Sequence, residues 1–186
     1  MHWVQAVRFA MLLWGVSEAV MGVVKRRVGA SHDRGSMLVL FVGFTAACMG
    51  GFVLAAMHLA PMPVAARATR AIAVLMFVAG LALRWWAILV LGRQFTFDVQ
   101  IAADHELVRR GPYRVVRHPS YTGLLLIMTA LGLALEDWIA LAAVALITVT
   151  VLAYRIRVEE NALRGAFGAR WDEYVRETWR LVPLVF

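Results

Sequence analysis

The sequence predicts an all-α integral membrane protein with five transmembrane helices and a cytosolic C-terminal helical tail. Three observations carry this. The 186-residue chain is 62% hydrophobic with a mean hydropathy of +0.72, more apolar surface than a soluble domain of this size can bury. Its apolar residues fall into five separate runs. Its basic residues cluster at the ends of those runs rather than along one amphipathic face, so the net charge of +7 reads as membrane orientation and not as nucleic-acid binding. The single cysteine, Cys48, lies inside an apolar run, which excludes an intrachain disulfide or a cysteine-based metal site. Only one of the nineteen basic residues, Lys25, is lysine, a bias that points to a bacterial source and so to an inner membrane.

The first run, Trp3 to Val24, ends at Lys25-Arg26-Arg27. A cleaved signal peptide carries its basic residues before the apolar core, so this is expected to be a retained spanning helix. The second, Met37 to Leu59, follows Ser36 and Asp33, either of which suits a helix cap, and closes at Pro61 and Pro63. The third, Ala71 to Leu91, holds one charge, Arg84, beside Trp85 and Trp86. All three approach the ~20 residues that cross a bilayer. Phe95 to Ile101 then alternates apolar and polar residues, the pattern of an extended surface segment. Pro119 suits the first turn of the next helix. Tyr121 to Leu135 and Trp138 to Ala153, joined by Glu136-Asp137, read as a tight membrane hairpin of two short crossings. The last run fades into Arg155 to Leu163 at helical spacing, with Gly165 and Gly168 as breakers. Ala169 to Trp179 sets Trp171, Tyr174, Val175 and Thr178 along one side, as an interfacial helix does, and Pro183 ends it.

Counting Lys and Arg between runs orients the chain. The loop after the first run holds four, Gly92 to Pro119 five and the tail from Arg155 six, against Arg8, Arg67 and Arg70 on the other side. The positive-inside rule places the N-terminus outside and the tail in the cytosol. The stretch from His105 to Gly123 and the Glu159-Glu160 segment then share the cytosolic boundary, and two segments distant in sequence converge as the walls of a pocket do. A headgroup-level belt of arginines and aromatics is the competing reading. The paired acids Glu159 and Glu160 favour a site, because anchoring to anionic headgroups gains little from carboxylates.

The pattern His105-x-Leu107-Val108-x-x-Gly111-x-Tyr113-x-x-x-Arg117-His118-Pro119-Ser120-Tyr121-x-Gly123, followed by Arg155-x-x-x-Glu159-Glu160-x-x-Leu163-x-x-x-Phe167-Gly168-x-x-Trp171-x-x-Tyr174 and a late Pro183, resembles the isoprenylcysteine carboxyl methyltransferase family. The resemblance spans about residues 80 to 183. It implies one membrane methyltransferase domain, with two N-terminal helices in 1–70 and a catalytic core in 71–186. It implies S-adenosylmethionine as cofactor, with S-adenosylhomocysteine as product, in a pocket outside any Rossmann fold; no Gly-x-Gly-x-x-Gly follows a strand here. By the same resemblance, His105, Leu107, Gly111, Tyr113, His118, Pro119, Tyr121, Glu159 and Glu160 match cofactor-binding positions. Arg117 and Arg155 match the arginines that hold a substrate carboxylate. Elementary chemistry agrees: a carboxylate is ionised at neutral pH and needs alignment and dehydration rather than a base, and arginine clamps it through paired charge-assisted bonds.

The expected acceptor is a lipophilic carboxylate entering from the bilayer, with lipids as the other partners. Two further classes stay open: an NADPH-dependent membrane reductase, whose C-terminal helices look similar, and a non-catalytic protein that binds anionic lipid. Single residues have plainer readings too. His118 suits a helix cap, Glu160 a surface partner of Arg157 or Arg164, and Tyr113 and Tyr121 interface anchors. Glu18 and Arg84 fall at similar depth in two helices of the same direction. They read either as an intramembrane ion pair at the inner end of a substrate cavity or as two side chains snorkelling to the interface.

Overall fold

The computed structural model describes residues 2–24, 35–63, 66–95 and 107–184. Six α-helices are formed: α1 (His2–Val24), α2 (Ser36–Ala56), α3 (Ala66–Leu91), α4 (Pro119–Ala134), α5 (Trp138–Phe167) and α6 (Ala169–Glu177). Short 3-10 turns form at Gly92–Gln94 and Gly111–Arg114. Four helices, α1, α2, α3 and α5, are long and apolar enough to cross a membrane, and α4 is a shorter apolar helix. The protein is a multi-pass helical membrane protein. Leu38, Leu75, Val78, Leu89 and Leu146 are exposed, as lipid-facing side chains are.

The shortest apolar helix is the most enclosed. α4 has sixteen residues, about 24 Å, yet ten of them are buried, among them Leu124, Ile127, Met128 and Leu131. It packs chiefly against α3 and α5, while α2 lies on α5 and α1 touches α4 lightly. A helix surrounded by protein need not match the ~30 Å hydrocarbon thickness, which constrains lipid-facing helices. Gly80 of α3 and Gly123 of α4 set the closest approach: a Cβ on either would lie 2.7 Å from the other's carbonyl oxygen. Small residues let membrane helices meet at the backbone.

Local sequence sets most boundaries. Pro119 is the first helical residue of α4, as expected. Asp137 caps α5: its Oδ1 accepts from the Ile139 and Ala140 N–H groups at 2.9 and 3.0 Å, and its Oδ2 from Ala60 N–H at 2.9 Å. Those bonds hold its carboxyl below the ordinary range, the Ala140 N–H contributing most and outweighing burial. The same end carries a bidentate Arg70–Glu136 pair at 2.7 and 3.1 Å, with the Arg70 guanidinium over the Trp3 ring.

Three expectations are corrected. Gly165 does not break the helix; α5 runs unbroken for thirty residues and stops at Gly168, whose φ of +52° suits glycine. At about 45 Å it is longer than the hydrocarbon is thick, so its Glu-bearing end extends the last crossing instead of forming a separate element. Ser36 does not cap α2: Gly35, at φ +74°, holds the cap position without a side-chain bond, and Asp33 lies outside the described residues. The tail helix ends at Glu177, before Trp179 and Pro183, and its apolar face is not laid on lipid. Trp171 and Tyr174 are buried against the protein. The proposed extended segment falls outside the described residues except for Phe95.

Candidate active site

The tail is zipped onto the segment that precedes α4. Arg117 N–H donates to the Trp179 carbonyl at 2.7 Å, Trp179 N–H to Val115 O at 3.0 Å, and His118 N–H to Arg180 O at 3.2 Å. Tyr174 OH donates to the Tyr113 carbonyl at 2.7 Å. Arg109 reaches Glu173 at 3.2 Å and Glu177 at 3.3 Å, with its guanidinium over the Tyr174 ring. Burial pushes the phenols of Tyr113 and Tyr174 above their ordinary value, so both remain neutral donors at physiological pH.

Glu160 is the hub beneath this zipper. Its Oε1 lies 3.2 Å from His118 Nε2, 3.3 Å from Arg117 Nε and 3.1 Å from Arg180 Nε, and its Oε2 lies 2.8 Å from Arg180 Nη2. An ionised carboxylate only accepts, so Nε2 donates in this contact. Nδ1 then faces Glu159 Oε1 at 3.8 Å. Arg117 also donates through Nη1 to Val175 O at 3.1 Å and to the Thr178 carbonyl.

A second chain of bonds starts at Glu159, one residue earlier on α5. Tyr121 OH donates to Glu159 Oε2 at 2.7 Å and accepts from Arg155 Nε at 3.2 Å, and Arg155 Nη1 donates to Ser36 Oγ at 2.5 Å. The Tyr121 ring stacks on His118 at 5.6 Å. Residues 155 and 159 share one face of α5 because they stand one helical turn apart. Tyr121 and Arg155 also line a cavity of about 700 Å³ between α1, α2 and the start of α4. Its wall is mainly apolar, with Glu18 and Arg84 among its charged residues. Those two form a bidentate ion pair at 2.5 Å, supported by Trp14 Nε1 on Glu18 at 3.0 Å. The pair exists, and neither member snorkels.

The structure brings most of the expected residues together, in unequal roles. Tyr113, His118, Pro119, Tyr121, Glu159 and Glu160 gather where residues 107–118, α4 and α5 meet. Gly111 stands beside Val90 and Trp86 at φ +57°, where a side chain would be strained. Leu107 is half-buried at the start of the described central run, and His105 lies outside the described residues. Arg117 and Arg155 engage different partners: Arg155 lines the cavity, whereas Arg117 is spent on Glu160 and the tail carbonyls and is absent from the wall. His118 makes no side-chain cap bond. Glu160 pairs with neither Arg157 nor Arg164; Arg164 binds Asp172 at 3.0 Å. Sequence reasoning missed Arg180 and Ser36, which touch Glu160 and Arg155 from 20 and 119 residues away. Arg180 carried one weak signal, a lone cation in an apolar tail after Trp179.

Comparison with known proteins identifies the family. Protein-S-isoprenylcysteine O-methyltransferase B of Arabidopsis thaliana is 36% identical over 112 residues, 59% of this chain and 57% of that protein. The uncharacterized protein YpbQ of Bacillus subtilis is 28% identical over 81 residues, 44% of this chain and 48% of its own. The match thus spans just over half the length of the plant relative. A solved eukaryotic intramembrane Ras methyltransferase shares the fold, with a TM-score of 0.64 at 24% identity over 78% of this chain and 52% of that one. Residues 72–165, which hold α4, most of α3 and the hub carboxylates, match the family model of the isoprenylcysteine carboxyl methyltransferases, and the chain belongs to that family.

Proposed function

We propose that the protein transfers a methyl group from S-adenosylmethionine to the carboxylate of a lipophilic acceptor that enters from the bilayer. One observation carries this reading. The bonds Glu159–Tyr121–Arg155 join a polar cluster, outside the cavity, to a cation of the cavity wall. A cofactor side and an acceptor side therefore meet at Tyr121. The residues fit the cofactor: Glu159, whose side chain is 29% exposed, suits an ammonium or ribose hydroxyl, and the phenols and His118 supply further polar contacts. Glu160, already bound to three cationic or imidazole groups, orients His118 and the tail.

When bound, the cofactor supplies an electrophilic methyl group. Arg155 holds the acceptor carboxylate by charge-assisted hydrogen bonds and fixes its angle of approach. The apolar wall strips water from it, which raises the nucleophilicity of an oxygen that needs no deprotonation. The ester product is neutral, so Arg155 loses its charged partner and release follows. In this reading the core is 71–186, helices within 1–70 complete the acceptor side, α4 is the fourth of five crossings, and the N-terminus faces away from the cytosol.

Calorimetric titration of detergent-purified protein with S-adenosylhomocysteine tests the assignment, with NADPH as the control ligand. Micromolar binding, about 8 kcal/mol, is expected for the product cofactor, falling at least tenfold in Glu159→Gln, with none for NADPH. Binding of NADPH instead, or of neither ligand by folded protein, refutes it.

A further inference from the structure

The acceptor cavity is walled largely by residues that the family match does not reach. Its polar inner end belongs to the matched segment 72–165, through Arg84, Tyr121 and Arg155. Most of its apolar wall comes from α1 and α2, which lie wholly before that segment, with Phe95 and Leu124 added from within it. On α1 the lining runs from Glu18 beside Arg84 out to Arg8, a separation of about 15 Å along the helix axis. There the Arg8 guanidinium sits 5.4 Å over the Phe52 ring of α2, and both residues line the cavity. The lining therefore runs from Arg155 and the Arg84–Glu18 pair to Arg8 on Phe52.

Resting on the function proposed above, we infer that Arg8 and Phe52 form a chain-length stop, so that α1 and α2 set which acceptor is used: a single-chain amphiphilic carboxylate whose apolar tail fits the stretch of about 15 Å that separates Glu18 from Arg8 along α1. A carboxylate at the inner end meets a cation. A tail within the wall displaces water at each added methylene. A longer tail meets a guanidinium, which apolar carbon cannot solvate, and must break its contact with Phe52. The relatives' named acceptor is thus not transferable on the matched segment alone.

The test measures affinity for a ladder of single-chain carboxylates of increasing length, by calorimetry without cofactor, for the wild type, Arg8→Ala and Phe52→Ala. Partition of the tail into the micelle is common to all three, so the ratio of variant to wild-type affinity isolates the cavity. Short chains are expected to bind equally. Beyond the break in the wild-type series, Arg8→Ala gains about fourfold for each further methylene it admits, and Phe52→Ala shifts the break the same way. A ratio that stays flat with length, in whichever variant purifies as folded protein, overturns the inference. Because binding is read without methyl transfer, loss of the enzymatic assignment and loss of the length stop are separate outcomes.

Discussion

Replacing Arg84 by leucine strands Glu18 within a membrane helix with only the Trp14 indole as a hydrogen-bond donor among the bonds described. Replacing Glu18 strands Arg84, whose side chain is 5% exposed, with little beyond the Ser120 carbonyl at 3.4 Å. Removing one member of a buried pair costs about 3–5 kcal/mol, and an unpaired charge near a helix centre about 2.5–3.5 kcal/mol on insertion scales. Glu18 is 24% exposed toward the cavity, which favours the lower end, about 3 kcal/mol for each single variant. The double variant Glu18→Leu, Arg84→Leu buries no charge and is expected to lose about 1 kcal/mol, a coupling of about 5 kcal/mol. Equilibrium unfolding in mixed micelles measures all four proteins. Single losses that add in the double variant would sink the argument, as would single losses below 1 kcal/mol, because either result means that the two charges are solvated independently.

Three other outcomes follow from the same structure. Asp137→Ala should cost about 1–2 kcal/mol through the lost cap. Because the carboxyl of Asp137 is depressed on folding, its contribution is complete above about pH 4 and fades as the pH falls through the folded value. Acid unfolding curves of wild type and variant should therefore converge at low pH, and parallel curves would contradict the cap. Thr148 is fully buried in α5 and its Oγ1 has no partner among the described residues, so Thr148→Val should be neutral or stabilising by up to about 1 kcal/mol. A loss above 1 kcal/mol in thermal unfolding counts against that. Arg180→Ala should release the tail from Glu160, speeding exchange of the Trp179 N–H and weakening S-adenosylhomocysteine binding by about 1 kcal/mol, the smaller value suited to a side chain 33% exposed. Arg180→Lys should recover part of both, and unaltered Trp179 exchange in Arg180→Ala would remove Arg180 from the site.

Much of this protein is legible without coordinates. Lipid exposure forces long apolar runs, so α1, α2, α3 and α5 are read directly from hydropathy. Pro119 and Asp137 announce helix starts by their own covalent and hydrogen-bonding limits. The motifs around Tyr113, His118, Tyr121 and Glu159-Glu160 mark where the candidate site lies, because those polar groups at a membrane boundary have few uses beyond anchoring.

What the sequence leaves open is who holds whom. Arg117 and Arg155 are equivalent cations in the primary structure, yet one is consumed by Glu160 and the tail while the other faces the cavity. Arg180 and Ser36 carry no local pattern, since their partners are brought to them only when the tail docks and α2 packs on α5. The pairing of Glu18 with Arg84 and the contact of Arg8 with the Phe52 ring belong to the same class. Secondary structure and membrane insertion are decided residue by residue along the chain and are therefore written in it. The partner of a side chain depends on the azimuth at which helices meet, and that is fixed only by packing, at contacts such as Gly80 on Gly123.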